Sequence, residues 1–342
     1  MAPGLRAPVV LLVGATGGFL FHFAHLPLPW TLGAMAAATL LSTFAPRMTL
    51  PAVFRDGARP VIGVAAGSAF TPAVVAALPQ WWPVLIMLTG FFLVTSGLGR
   101  VFFKRIGLDR QTAYLASSPG GLGEMTLLGI QMNADIRALV LIHTIRIIMV
   151  VTVLPFALRS LFQIDFGIVR PHVAAAAPWD WLSLLGCGIV GYVLGRPFRR
   201  MGGITLVPLM LSAALHGGGL VTAAPPSWLI AGMQVVIGCI TGARLGGLRL
   251  AELRRFAASG VIWALTLILM ALTLASVAAP FLGTSRAALF LALAPGGFAE
   301  MTVVAIAMNV EVAFVVTCHV FRIFYVLAVS PALCRRAMRD NR

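Results

Sequence analysis

Charge is scarce in this chain. Of its 342 residues only 10% are Asp, Glu, Lys or Arg, and just 10 are acidic, whereas a soluble domain carries roughly 25% charged residues. Too few charges are present to clothe a water-facing globular surface, which excludes the ordinary soluble enzyme or regulator. Cysteine is also sparse. Cys187, Cys239, Cys318 and Cys334 form no CxxC pair and lie in or beside apolar stretches. They read as small buried hydrophobes, and neither a disulfide framework nor a thiolate metal site follows from them. No P-loop, HExxH helix or nucleophile elbow occurs. These absences argue against an enzyme, and an ATP-driven pump would need a nucleotide domain for which the chain has no sequence.

What is abundant is apolar length. Hydrophobic residues make up 60% of the chain and recur in long segments from Pro8 to Leu333 with short polar gaps. That is the pattern of an all-α, polytopic helical membrane protein, with the lipid bilayer as its first partner. The net charge of +15 raises nucleic acid as a partner, but the arginines sit singly or in small groups between apolar segments. Such groups are orientation signals; a DNA-binding face would need a basic stripe or tail. Pro8–Phe21 follows Arg6 and looks like a signal peptide, but Trp181–Gly195 is its counterpart later in the chain, so it reads as a retained first span.

The chain also repeats itself. Pro119-Gly120-Gly121-Leu122-Gly123-Glu124-Met125-Thr126 recurs as Pro295-Gly296-Gly297-Phe298-Ala299-Glu300-Met301-Thr302. Residues 119–155 and 295–331 align without a gap and share 16 identities over 37 positions, among them Met132-Asn133 with Met308-Asn309, His143 with His319 and Arg146 with Arg322. Outside that block, Gly63-x-x-x-Gly67 matches Gly238-x-x-x-Gly242 and Thr31-Leu32 matches Thr205-Leu206. Such small-residue pairs let helices approach closely without polar groups. Twelve apolar segments fall six to each half, giving a first membrane repeat over 1–160, a connecting loop over 161–178 and a second repeat over 179–342.

Loop charges orient the halves. In the first half the basic loops follow segments two (Arg47, Arg55, Arg59) and four (Arg100, Lys104, Arg105, Arg110). In the second half they follow segments one (Arg196, Arg199, Arg200) and three (Arg244, Arg249, Arg254, Arg255). Lys and Arg collect on the cytoplasmic side, so equivalent loops lie on opposite faces and the repeats are inverted. Inversion needs an odd number of crossings per half, so one segment in each must fail to span as a simple helix. The Pro-Gly-Gly segment is the natural choice, with a neighbour such as the third as the alternative. The result is about ten spans plus two discontinuous segments, with both termini cytoplasmic.

The repeated phrase also carries the chemistry. A backbone break at membrane depth survives only where protein or water satisfies the freed groups, so it lines a cavity. Gly120, Gly121, Gly296 and Gly297 let backbone come close to a ligand. Glu124 and Glu300 fall in the first turn of a second half-helix, whose positive end favours a carboxylate or an anionic substrate. Arg146 and Arg322 sit inside apolar runs, where a charge costs about 2.5 kcal/mol or more. Each therefore needs a partner: Glu124 and Glu300 first, Asp135 and Glu311 second. Such a pair could be a structural clamp or a gate. His143 and His319 share a helix face with those arginines and offer either a proton path or an interior hydrogen bond. Thr126, Thr302, Asn133 and Asn309 are polar groups able to line the same cavity or bridge helices. His22 and His25 read as interfacial, since no further metal ligand accompanies them; no metal or other cofactor is expected. Trp81, Trp82, Trp179, Trp181 and Trp228 mark segment ends, as interfacial anchors do.

The two PGG-x-x-E-M-T phrases and the Met-Asn pairs resemble the AbrB family of bacterial inner-membrane proteins, some of which carry an ammonia monooxygenase label. The resemblance spans nearly the whole chain. It implies an integral protein of the bacterial inner membrane, assigned to transport, with a member linked to regulation of gene expression. This family is distinct from the soluble DNA-binding regulator of the same name. The monooxygenase label has no convincing copper or iron ligand set behind it here. Residues and resemblance together lead to a secondary transporter of a small metabolite or ion, able to couple to protons and compatible with a homo-oligomer. The alternative is a membrane-embedded sensor that affects gene expression without net transport.

Overall fold

Helix boundaries follow the breakers in the sequence. The computed structural model describes residues 3–45, 48–164, 177–244 and 250–339. Most of the connecting loop (with Asp165, Arg170 and His172), Arg47 and Arg249, and the side chains of Arg254, Arg255, Cys334, Arg335, Arg336, Arg339 and Arg342 lie outside the described residues. The first half runs α1 (Pro3–Phe23), α2 (Pro29–Phe44), α3 (Ala52–Gly67), α4 (Pro72–Ala77), α5 (Trp82–Arg105), α6 (Arg110–Ser117), α7 (Leu122–Gln131) and α8 (Ile136–Phe162). The second runs α9 (Pro178–Gly195), α10 (Gly203–Gly217), α11 (Ser227–Ala243), α12 (Leu250–Leu282), α13 (Arg286–Leu293), α14 (Phe298–Ala307) and α15 (Val312–Arg339). No strand occurs among the described residues.

Among the described residues six helical stretches are long and apolar enough to cross a bilayer: Arg6–Phe23, Pro72–Arg105, Ile136–Phe162, Pro178–Arg199, Phe256–Leu282 and Val312–Val329. Their surfaces are inside out for a soluble protein. α9 exposes Leu182, Leu185, Ile189 and Val193 and buries Ser183, Cys187, Gly191 and Gly195. Apolar side chains outward and small or polar ones inward is the arrangement hydrocarbon favours. Several residues read as loop residues lie inside helices: Arg55 and Arg59 in α3, Arg100, Lys104 and Arg105 in α5, and Arg110 in α6. The burial of α3 begins only at Ala58, so its first turn stands outside the packed part of the helix.

The chain folds into two compact units, and each draws helices from both halves of the sequence. Unit 1 comprises Met1–Leu78, Val151–Leu248 and Thr302–Ala313; unit 2 comprises Pro79–Val150, Arg249–Met301 and Phe314–Arg342. In unit 1, α1 packs on α2 and α9 on α10, while the third helices are exchanged: α3 lies on α10 and α11 on α2. The small-residue pairs make that exchange. A Cβ added at Gly63 would meet the Thr205 carbonyl oxygen, and one at Gly238 would meet the Thr31 carbonyl oxygen. Four residues on, Gly67 faces Ser212 and the Leu209 carbonyl, and Gly242 faces the Met35 carbonyl. The GxxxG matches in the sequence are therefore two copies of one helix contact. Gly63→Leu should destabilise the protein by about 1–3 kcal/mol or more through overpacking against rigid backbone. Gly186→Leu should be near neutral, because nothing lies within 4 Å of the Cβ it would place. Thermal unfolding of the purified protein in detergent compares the two.

Unit 2 is organised around the interrupted segments. α5 packs on α6 and α12 on α13. Trp263 stacks on Phe102 at 5.7 Å, and Phe92 packs against Tyr325 at 5.3 Å. Ser117 donates to the Ser96 carbonyl at 3.0 Å, tying the end of α6 to α5.

Candidate functional site

Each half contains the same local sequence of events. α6 stops at Ser117 because Ser118 is extended ahead of Pro119, and a residue before proline avoids the helical region. α7 restarts at Leu122 after Gly121, also extended. In the second half α13 stops at Leu293, with Ala294 extended, and α14 restarts at Phe298. α6 has 8 residues and α7 has 10, rises of roughly 12 and 15 Å at 1.5 Å per residue. Neither piece alone crosses about 30 Å of hydrocarbon.

The spacing within Pro-Gly-Gly-x-x-Glu-Met has a steric cause. A Cβ on Gly120 would run into the Met125 side chain, and one on Gly296 into Met301. Both methionines are fully buried. A Cβ on Gly121 would occupy the place of the Glu124 carboxylate, and one on Gly297 that of Glu300. The first glycine makes room for a methionine five residues on, and the second for a glutamate three residues on. The sequence suggested that these glycines open backbone to a ligand; the space beside them is filled by the chain's own side chains. Both carboxylates fold back over the break at the N-terminus of a half-helix and stay partly accessible, where the helix dipole stabilises negative charge.

The arginines correct a second expectation. Neither Arg146 nor Arg322 forms an ion pair with Glu124 or Glu300. Arg146 Nη1 donates to the Ser118 carbonyl at 3.0 Å, and Nη2 donates to the Gly120 carbonyl. Arg322 Nη1 reaches the equivalent Ala294 carbonyl at 3.4 Å. One turn earlier, His143 Nε2–H donates to the Leu115 carbonyl and His319 Nε2–H to the Leu291 carbonyl, both at 3.2 Å. The ends of α6 and α13 leave carbonyls without intrahelical donors. The long helices α8 and α15 supply those donors, and positive charge at a helix C-terminus is favourable. His143, Arg146 and His319 are fully buried and Arg322 is 2% exposed, so each bond replaces a hydration that the interior cannot give.

The carboxylates still act on the arginines at longer range. Arg146 is in electrostatic reach of Arg322 and Glu124, and Arg322 of both Glu124 and Glu300. The two breaks, distant in sequence, thus share one electrostatic environment within unit 2: two buried cations over carbonyl ends and two partly accessible anions at half-helix starts.

The remaining sequence candidates take other places. Thr126 Oγ1 donates to the Leu122 carbonyl within its own helix. Thr302 is fully buried, and its Oγ1, like His143 Nδ1, His319 Nδ1 and Arg146 Nε, has no hydrogen-bond partner. Asn133 and Asn309 have φ of 54° and 50°. Each follows the end of a half-helix, with Ala134 N donating to the Gly129 carbonyl and Val310 N to the Ala305 carbonyl. That closure needs a left-handed residue, and after Gly, Asn is the side chain that tolerates it best. Asp135, the second-choice partner for an arginine, instead caps α8 by accepting from the backbone N–H of Arg137 and Ala138. Sequence reasoning missed Met125 and Met301, whose recurrence five residues after a glycine was the available signal. Among the described residues no group of three or more His, Cys, Asp or Glu stands close enough to hold a metal ion.

Fold and site define a polytopic helical membrane protein with two interrupted helices, each closed by a buried His-Arg pair. The profile of the family described as "Transition state regulatory protein AbrB" matches residues 30–338. The chain belongs to that AbrB family. It is similar to "Putative regulator AbrB" of Escherichia coli (strain K12), 25% identical over 318 residues covering 92% of this chain and 91% of the relative. It is also similar to "Uncharacterized protein YhjN" of Bacillus subtilis (strain 168), 25% identical over 353 aligned positions covering 95% of this chain and 91% of the relative.

Proposed function

We propose that the chain is a secondary transporter of a small metabolite or ion, coupled to protons, resident in the bacterial inner membrane with both termini cytoplasmic. Its halves are inverted repeats making about ten spans, and its substrate site is built from the two Pro-Gly-Gly-x-x-Glu breaks. The observation that carries this reading is the recurrence of a carboxylate, Glu124 and then Glu300, in the first turn of the half-helix after each break. Helix interruptions bearing ionisable groups at membrane depth are the layout of transporter sites, where half-helix ends meet solute and coupling ion.

Two contacts within unit 1 support the inversion. Arg199, after the first segment of the second half, bridges Asp56, after the second segment of the first half, at 3.4 Å. The loops free of Lys and Arg, at His25 and at Pro225, line one common cavity. Parallel copies would hold each of those loop pairs at opposite ends of the helices.

The test is flux into proteoliposomes under an imposed pH gradient, with a panel of small metabolites and ions. The expected result is uptake or proton movement that depends on one solute and collapses with the gradient. The name of the E. coli relative keeps a second reading in view, a membrane sensor. Tight solute binding with neither flux nor proton movement would favour it and overturn transport.

A further inference from the structure

Unit 1 contains a cavity of about 780 Å³ whose wall includes the far end of α14, the half-helix that follows the second break. Its walls are the α1–α2 turn with His22, His25 and Trp30, the start of α11 with Trp228 and Gln234, the end of α8 with Arg159, and the α14–α15 turn with Asn309. A volume between about 300 and 1,000 Å³ suits a small organic ligand. Among the described residues no Asp or Glu lines it.

Gln234 is the informative residue. It is 6% exposed, lines the cavity, and its carboxamide makes no hydrogen bond to the described residues. Buried polar side chains are ordinarily satisfied, and one left open costs about 1–3 kcal/mol. A ligand in the cavity could supply what the chain does not. Trp30 stacks with His22 at 5.9 Å, giving a flat aromatic wall, and Trp228 forms another part of the lining. Arg159 is held at the site by donating to the His25 carbonyl at 3.0 Å. α11 starts here without a side-chain cap, so its first N–H groups and the positive end of its dipole also face anionic ligands favourably.

We propose that this cavity binds a small aromatic carboxylate. The ring lies against the tryptophan walls, Gln234 and Asn309 hydrogen-bond its polar edge, and the carboxylate takes the positive side formed by Arg159 and the start of α11. The site touches the second break only through the far end of its half-helix, at Ile306, Ala307 and Asn309, and the proposal stands whether or not the breaks transport.

Calorimetric titration of the purified full chain in detergent tests it, with indole-3-acetate as probe and tryptamine as its cationic counterpart. Indole-3-acetate should bind saturably, and tryptamine at least tenfold more weakly. Gln234→Leu should weaken indole-3-acetate several-fold, roughly two- to tenfold, the scale of a lost hydrogen bond between neutral groups. Asn309→Gly keeps the left-handed turn while removing the carboxamide, and should weaken binding too, so the proposal does not depend on Gln234→Leu folding. Equal binding of both probes, no binding of either, or indifference to both variants would overturn it. Competition by phosphatidylglycerol but not phosphatidylcholine would give the cavity to an anionic lipid headgroup and overturn the aromatic solute.

Discussion

Glu124→Gln and Glu300→Gln should each reduce gradient-driven flux in proteoliposomes to the level of empty vesicles, with folded protein recovered in normal yield. The substitution keeps shape and hydrogen-bonding capacity and removes only the charge. Each carboxylate occupies a notch made by a glycine, Gly121 or Gly297, so the neutral amide fits where the acid did. What changes is the balance around Arg322, which is in reach of both acids. With one anion gone, two buried guanidinium groups face a single carboxylate, and the site has lost a group able to accept and release a coupling proton. Full flux in both single variants would remove the carboxylates from the mechanism.

Arg146→Leu and Arg322→Leu should separate stability from function. Arg146 serves two carbonyls of the first break, those of Ser118 and Gly120. Leucine would leave both acceptors without a donor in a buried setting, at about 1–3 kcal/mol each. The expected signature is a lower unfolding midpoint in detergent and faster proteolysis between α6 and α7. Arg146→Lys should recover only part of that loss, since one ammonium cannot reproduce the planar fork. Arg322 makes a single bond of 3.4 Å to Ala294, so Arg322→Leu should cost less stability. It should nonetheless abolish coupled flux, because Arg322 is the cation in reach of an acid from each half. Equal stability losses, or an Arg322→Leu protein that still couples, would show that the asymmetry of the two copies has no functional meaning.

These expectations mark how far the sequence could be read. The interruption of the Pro-Gly-Gly segments was legible because proline and glycine act locally: Ser118 and Ala294 are extended just ahead of their breaks. The position of Glu124 and Glu300 in the first turn of a half-helix followed from the same local rule. The partners of the arginines were not legible. Arg146 bonds a carbonyl 28 residues upstream, and backbone acceptors leave no mark in a sequence that a carboxylate would leave. Asn133 and Asn309 carried a signal that was open to another reading. A lone Asn before a new helix start is how a left-handed cap looks, yet two recurring asparagines also look like cavity residues. The GxxxG pairs announced close packing but not the exchange of α3 and α11 between hairpins, because small residues specify proximity and not the partner.

In the proposed transporter the two halves carry their interrupted, acid-bearing helices into one site from opposite sides of the bilayer. Sidedness of equivalent positions tests it most directly. Ile106, at the end of α5, and Leu282, at the end of α12, differ by 176 in sequence and precede the two interrupted segments. Single cysteines at these positions, in a background lacking the native four, can be probed with a membrane-impermeant maleimide in oriented inner-membrane vesicles and in whole cells. The account predicts that Ile106→Cys reacts only from the cytoplasmic face and Leu282→Cys only from the opposite one. Labelling of both from the same face would contradict it.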